Sequence, residues 1–244
     1  MKIVEWEKLP QEMQTEEVRK YYDILTKRKT ELFLKRVLDF VLSSVAIIIF
    51  SPIYLFLAIA IKVDSPGPVF YRQERVTQYG KPFHIHKFRT MVQDADKGSQ
   101  LTINNDGRIT RVGKLIRSCK LDEIAQFIDV FQGTMTFVGV RPEIPKFVVA
   151  YSKEMMATLL LPAGITSLAS IYYKDEAKLL DGVENVDNVY VEKILPKKMY
   201  YNLKGLEDYS FWQDVKIIFM TALAVLGKRY ESKSEDAESV ISDD

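Results

Sequence analysis

Asp122 and Glu123 are neighbours in the chain, and the charges around them are positive: Arg108, Arg111, Lys114, Arg117 and Lys120 before, Arg141 after. That combination suits phosphate chemistry. A carboxylate pair can hold Mg²⁺, and one carboxylate can attack phosphorus to give an aspartyl phosphate. Arginine forks grip phosphate oxygens through two bonds at once. The plain alternative is that both acids open a helix, where the macrodipole favours them. Adjacent helical residues point about 100° apart, so spacing alone does not force both carboxylates onto one ligand.

The other reactive side chains are few. Cys119 is the one cysteine, which excludes an intramolecular disulfide and a cysteine-rich zinc site, and its expected role is a small buried filler. His84 and His86 are the two histidines, and their alternation fits one face of a strand. Asp94, Asp96 and Asp106 lack the glycine and terminal glutamate of a calcium loop, so residues 93–107 read as a mobile loop. Net charge is +1 over 244 residues, without the global basic field of a nucleic-acid binder.

The elements that must position these groups begin with a charge-free run from Val41 to Ile61. About 20 apolar residues cross the roughly 30 Å hydrocarbon layer. Ser51-Pro52 sits at the midpoint, where proline removes a helical hydrogen bond. Basic residues flank both ends, Lys27 to Lys29, Lys35 and Arg36 before, Lys62, Arg72 and Arg75 after, and both flanks favour the cytoplasmic side. A helix broken at Ser51-Pro52 that returns to its own face satisfies both flanks; a kinked span and a buried core helix are the alternatives. Asp39 is expected to pair with Arg36.

Downstream, residues 69–76 and 83–88 form a predicted β-hairpin around the turn at Tyr79-Gly80-Lys81-Pro82. A helix is expected from Thr110 or Arg111 with Val112, Leu115 and Ile116 on one face. The next runs from Leu121 to Phe131, with Ile124, Phe127, Ile128 and Phe131 as its core stripe and Gly133 ending it. Residues 135–138 read as a short strand and residues 145–161 as a helix. Tyr190, Tyr200, Tyr201 and Tyr209 read as packing residues, and residues 214–227 as an interfacial or core helix. The expected division is a helical extension over 1–31, on the membrane or on the domain, an apolar helix over 32–63, one domain over 64–230 and a disordered acidic tail over 231–244.

Several ordered motifs add a resemblance. Leu121-Asp122-Glu123, Gly133, Met135, Phe137-Val138-Gly139 and Arg141-Pro142-Glu143 resemble the core signature of the bacterial sugar transferases, the monotopic phosphoglycosyl transferases. Lys35-Arg36 with Asp39, Ser51-Pro52, Ser65-Pro66-Gly67-Pro68, Gln73 with Arg75, Lys87-Phe88-Arg89-Thr90-Met91, Pro162 to Thr166 and Phe211-Trp212-Gln213-Asp214 extend the likeness over about residues 35–215. The resemblance implies an α+β, mostly helical fold: a re-entrant helix-break-helix at Ser51-Pro52, a small cytoplasmic catalytic domain with a short hairpin, and interfacial amphipathic helices. It also implies transfer of a sugar 1-phosphate from a UDP-sugar to polyprenyl phosphate at the cytoplasmic face of the bacterial inner membrane, among membrane lipids, releasing UMP.

On that likeness Asp122 is the nucleophile, Glu123 with Asp122 holds Mg²⁺, Arg117 and Arg141 bind phosphate, and Lys87 and Arg89 lie near the site. Oligomeric state stays open, a homodimer included. Two departures stand out: Val140 replaces the family's proline, and Ala163 is inserted with Ser167 for the last glycine of Pro-Gly-Ile-Thr-Gly, a segment expected close to the nucleotide or sugar. They motivate a second reading, an inactive membrane scaffold of the same fold. A lipid-anchored hydrolase of nucleotide sugars is a third.

Overall fold

The apolar run forms the long helix around which the rest is assembled. In the computed structural model, which describes residues 1–93, 95, 107–173, 185–228 and 230, helix α1 (Glu16–Lys27) is followed at once by α2 (Lys29–Asp64), 36 residues long. The expected break at Ser51-Pro52 is corrected: the backbone stays helical through both residues. The reason is local. Pro52 cannot donate to the carbonyl of Ile48 four residues earlier, and the Ser51 hydroxyl donates to that same carbonyl at 2.8 Å. A serine hydroxyl that takes over the freed acceptor removes most of the reason for the helix to stop.

Helix α2 is apolar along most of its surface, yet charged side chains in its first half point into the domain. Lys35 is buried and donates to the Val138 carbonyl at 2.6 Å and to Asp214 at 2.8 Å. Buried Asp39 accepts from Thr136 Oγ1 at 2.7 Å and from the Phe137 amide at 3.0 Å. Arg36 donates to the carbonyls of Val130 and Phe131 at 2.8 and 3.0 Å. The expected Arg36–Asp39 pair is therefore absent, because Arg36 caps a helix C-terminus, where the macrodipole favours a cation. At the other end Tyr54 donates to the Ile124 carbonyl at 2.6 Å, Leu57 and Ile61 are buried against Phe88 and Ile116, and Asp64 accepts from the Val112 amide at 3.0 Å.

The expected hairpin is present: β1 (Phe70–Val76) pairs antiparallel with β2 (Pro82–Phe88), Phe70 opposite Phe88 and Val76 opposite Pro82. Helix α3 (Arg111–Ser118) starts at Thr110, whose hydroxyl accepts from the Gly113 amide at 3.0 Å. Ile116 is buried as expected, but Leu115 is exposed, and so is Cys119, which is no core filler. A 3-10 turn (Leu121–Ala125) leads into α4 (Gln126–Gln132), ended by Gly133 at φ 86°. The apolar stripe of α4 packs outward on α2, Phe131 stacked on Phe40 and Phe127 beside Phe50. The buried side carries Gln126, Val130 and Asp129, whose carboxylate holds the His86 ring at 2.7 Å and amide at 2.9 Å. His84 is exposed.

Strand β3 (Met135–Val138) pairs in parallel with β4 (Ala163–Thr166). The helix expected over 145–161 is split into α5 (Pro145–Val148) and a 3-10 turn (Met155–Leu160). Between them the Ser152 hydroxyl accepts from the Met155 amide at 3.2 Å and Glu154 accepts from the Tyr21 hydroxyl at 2.6 Å, side-chain bonds that compete with a continuous helix. Helix α6 (Leu168–Tyr172) is capped by Ser167, which accepts from the Ser170 amide at 3.1 Å. Then come α7 (Val186–Val189), a π-turn (Tyr190–Ile194), α8 (Leu195–Glu207) and α9 (Phe211–Val225).

The N-terminal segment is part of the main core: Met13, Val18, Tyr21 and Leu25 pack with Ala157, Leu160, Leu206 and Tyr209. The acidic tail, Arg229 and residues 94 and 96–106 of the segment read as a mobile loop lie outside the described residues. Trp212, Phe219 and Val225 of α9 are exposed, as are Ile48, Leu55, Phe56 and Val63 of α2.

Candidate active site

Three elements converge on one cavity of about 500 Å³: the hairpin, α3 and the 3-10 turn that follows it. Among the described residues its wall carries five arginines (Arg72, Arg75, Arg89, Arg108 and Arg117), Lys87, and one carboxylate, Asp122. The turn that presents Asp122 is set by Lys120, a non-glycine residue in the left-handed region (φ 53°, ψ 27°), which swings the chain out of α3. Helix α3 itself presses on the end of β2 through Gly113, where a Cβ would lie 2.0 Å from the Thr90 carbonyl oxygen. That contact brings Arg117 to the wall, its Nε donating to Thr90 Oγ1 at 2.7 Å.

The arginines are anchored largely by neutral acceptors. Arg89 donates to the Pro66 and Ser65 carbonyls at 2.5 and 2.7 Å, and Arg72 to the His84 carbonyl at 2.7 Å. Arg75 donates to the Pro142 carbonyl at 3.1 Å and to Gln73 Oε1 at 2.6 Å. A carbonyl dipole fixes a guanidinium without cancelling its charge, so the cavity keeps a preorganised positive field. Arg89 serves by its bonds to hold the Ser65-Pro66 turn at the end of α2 as well as lining the cavity.

Glu123 and Arg141 are brought together, but neither lines the cavity. Arg141 pairs with both Glu123 oxygens, and Lys87 reaches Glu123 Oε1 at 3.4 Å. Burial pushes the Glu123 carboxyl up, but Arg141 and Lys87 outweigh it and hold the group well below the usual carboxylate range. Lys87 is pulled down by burial, against Glu123. Asp122 is the reverse case. Burial pushes its pKa up, only partly offset by Lys87, and among the described residues it makes no ion pair within 4.0 Å. The loop bearing Arg141 is itself clamped, since the Val76 amide donates to the Glu143 carbonyl at 3.0 Å and the Glu143 carboxylate is held by Tyr190 and by Lys198 at 3.4 Å.

Of the residues singled out in the sequence, Asp122, Arg117, Lys87 and Arg89 share the cavity, whereas Glu123 and Arg141 form the pair beside it. The segment from Ala163 to Thr166, expected close to the nucleotide, does not line the cavity. It is strand β4, with Ala163 buried against Phe83, Val130 and Met135. Arg72 and Arg108 were not singled out as site residues, nor was Arg75 beyond its motif. The i, i+2 spacing of Gln73 and Arg75 on a strand was the available signal.

A family model described as Bacterial sugar transferase matches residues 30–228. The chain belongs to the bacterial sugar transferase family. It is 35% identical over 198 residues, 80% of this chain and 44% of the relative, to a UDP-N-acetylgalactosamine-undecaprenyl-phosphate N-acetylgalactosaminephosphotransferase of Aeromonas hydrophila. It is 38% identical over 196 residues, 78% of this chain and 39% of the relative, to a UDP-glucose:undecaprenyl-phosphate glucose-1-phosphate transferase of Klebsiella pneumoniae. A transferase of the latter name from Caulobacter vibrioides is 34% identical over 197 residues, 79% of this chain and 69% of the relative. The chain thus spans about two fifths of the length of the first two relatives, which differ in the sugar their names carry.

Proposed function

We propose that this chain transfers a sugar 1-phosphate from a UDP-sugar to polyprenyl phosphate at the cytoplasmic face of the bacterial inner membrane, through a phosphosugar held covalently on Asp122. The observation that carries this reading is the cavity itself: among the described residues, five arginines and Lys87 surround one carboxylate that makes no ion pair. Such a field suits a diphosphate, and the unmatched carboxylate suits attack on it.

An Asp122 oxygen attacks the β-phosphorus, the bond from that phosphorus to the α–β bridging oxygen breaks, and UMP leaves with the electron pair. An oxygen of the lipid phosphate then attacks the same phosphorus and the bond to Asp122 breaks. Arg117 and Lys87 face the charge that develops on the phosphoryl oxygens. Glu123 and Arg141 keep Lys87 oriented.

Mg²⁺ fits this site. The ion takes one or two carboxylates together with substrate phosphates, and Asp122 is an unpaired carboxylate on the wall, while both oxygens of Glu123 are engaged. When bound, it would neutralise diphosphate charge and assist departure of UMP.

Membrane attachment through α2 is supported by its exposed apolar face, since the helix is long and apolar enough to cross a bilayer. Yet Lys35 and Asp39 near one end and Tyr54, Ile61 and Asp64 near the other bond to or pack on the same domain. Both ends of α2 pack on the same domain, so the helix, unbroken through Ser51-Pro52, is read as attached to one face of the bilayer rather than as a span.

The test is UMP release from a panel of UDP-sugars, with and without undecaprenyl phosphate and Mg²⁺. Release that needs lipid and metal, with a phosphosugar trapped on Asp122, supports the transferase and identifies the sugar. Release without lipid indicates a hydrolase, and no release from any donor indicates a scaffold.

A further inference from the structure

Three side chains form a file from the core of the molecule to the cationic cavity. Asp129 of α4 is buried, its Oδ2 accepting from the His86 amide at 2.9 Å and its Oδ1 lying 2.7 Å from His86 Nδ1. His86 of β2 is only 8% exposed, with the Phe70 ring edge-on to its own. Across the hairpin His86 stands opposite Arg72, and its Nε2 meets one Nη of that guanidinium. The other Nη donates to the His84 carbonyl at 2.7 Å, and Arg72 lines the cavity.

These contacts fix the tautomer of the ring. A guanidinium carries donors and no acceptor, so His86 Nε2 accepts from Arg72 and the ring proton sits on Nδ1, donated to Asp129. An aspartate bonded directly to Arg72 would cancel its charge. A neutral imidazole placed between them passes on the orientation and leaves the cation to act on a ligand. Asp129 in turn spends its second oxygen on the His86 amide, which holds the ring's own strand in register.

We propose that His86, braced by Asp129, is a positioning residue that presents Arg72 to the phosphate oxygens of a substrate. The inference rests on the transferase reading above, in which neither His86 nor Asp129 has a part. Donor and acceptor both carry phosphate, and their separate KM values distinguish which one Arg72 meets.

His86→Asn keeps an amide N–H where Nδ1 stood, so Asp129 stays partnered, but it removes the acceptor for Arg72. His86→Gln puts an amide oxygen near the Nε2 position and restores that acceptor. In His86→Asn the KM for one of two substrates, the UDP-sugar found active in the panel or undecaprenyl phosphate, should rise about tenfold with kcat unchanged, the scale of one hydrogen bond to a charged group. His86→Gln should recover most of the loss. In an Arg72→Met background His86→Asn should add nothing, because it acts only through Arg72. The chain has two histidines, so ¹⁵N-histidine labelling separates His86 from exposed His84; His86 should show a protonated Nδ1 and a bare Nε2.

Unchanged KM for both substrates in His86→Asn overturns the proposal, as does a fall in kcat alone. An equal effect of His86→Asn in the Arg72→Met background, or a proton on His86 Nε2, also overturns it. No turnover by the unaltered chain is a different failure and removes the transferase reading itself. Calorimetric binding of UDP then decides: binding about tenfold weaker in His86→Asn and recovered in His86→Gln upholds the role of His86, and equal binding overturns it.

Discussion

Two groups of charged side chains in this chain are treated in opposite ways. Where α2 meets the domain, Lys35 is matched by Asp214 and a carbonyl, and both oxygens of Asp39 accept hydrogen bonds. In the cavity, Asp122 has no ion pair among the described residues while cations crowd the wall around it. A buried charge that is fully partnered fixes one arrangement of helices, because removing one partner strands the other. An incompletely matched one stores unfavourable desolvation that a substrate or metal can relieve. The first group builds the molecule and the second is kept ready for a ligand.

That contrast can be broken most directly at Asp122. Asp122→Asn should lower UMP release by at least about 10³-fold, the scale of losing a covalent nucleophile. Its melting temperature should be equal or higher, because a neutral isostere no longer pays for burial of the charge. A lower melting temperature would make Asp122 a structural residue.

The opposite result is expected at Lys35. Lys35→Met should destabilise the chain by about 3–5 kcal/mol, measured by denaturation in detergent, because Asp214 would be left buried without its cation. Adding Asp214→Leu should restore much of that loss. If the single variant is as stable as the parent, the pair is not structural.

A smaller effect separates the two carboxylates at the site. Burial raises the Asp122 pKa and Lys87 lowers it. On the proposed mechanism the deprotonated form attacks, so activity should be lost as pH falls through that pKa. Lys87→Met removes the lowering cation, and the acid limb of kcat/KM should move to higher pH; a limb that stays or moves down would exclude Asp122 as the group observed. Glu123 is depressed instead, so its contribution to stability is complete above the ordinary glutamate value of 4.5 and fades as pH falls toward its lower folded value.

The smallest effect is at Lys120, which pays for its left-handed backbone. Lys120→Gly should stabilise the fold by no more than about 1 kcal/mol and leave UMP release unchanged, testing whether this turn needs only its geometry or also its side chain.

How much of this was legible beforehand depended on range. The hairpin, the cap at Gly133 and the helices around the site follow from turn residues and apolar periodicity, which act over a few positions. The carboxylates and the basic residues flanking them were visible by type. Their division of labour was not, since Arg141 neutralising Glu123 rather than facing the cavity depends on a contact 18 residues away in sequence. The same holds for Asp39, which an i, i+3 rule assigned to Arg36 and which instead reaches Thr136 and Phe137.

Local pattern by itself determined the apolar helix, and the order of the sequence motifs determined the family and singled out the candidate carboxylates. Tertiary structure alone decided that Ser51 lets α2 run on through Pro52, that the N-terminal segment is core, and that of two adjacent acids one is paired and the other left open. The reason is that burial and pairing are properties of space: two residues side by side in the chain meet different neighbours as soon as the backbone turns between them.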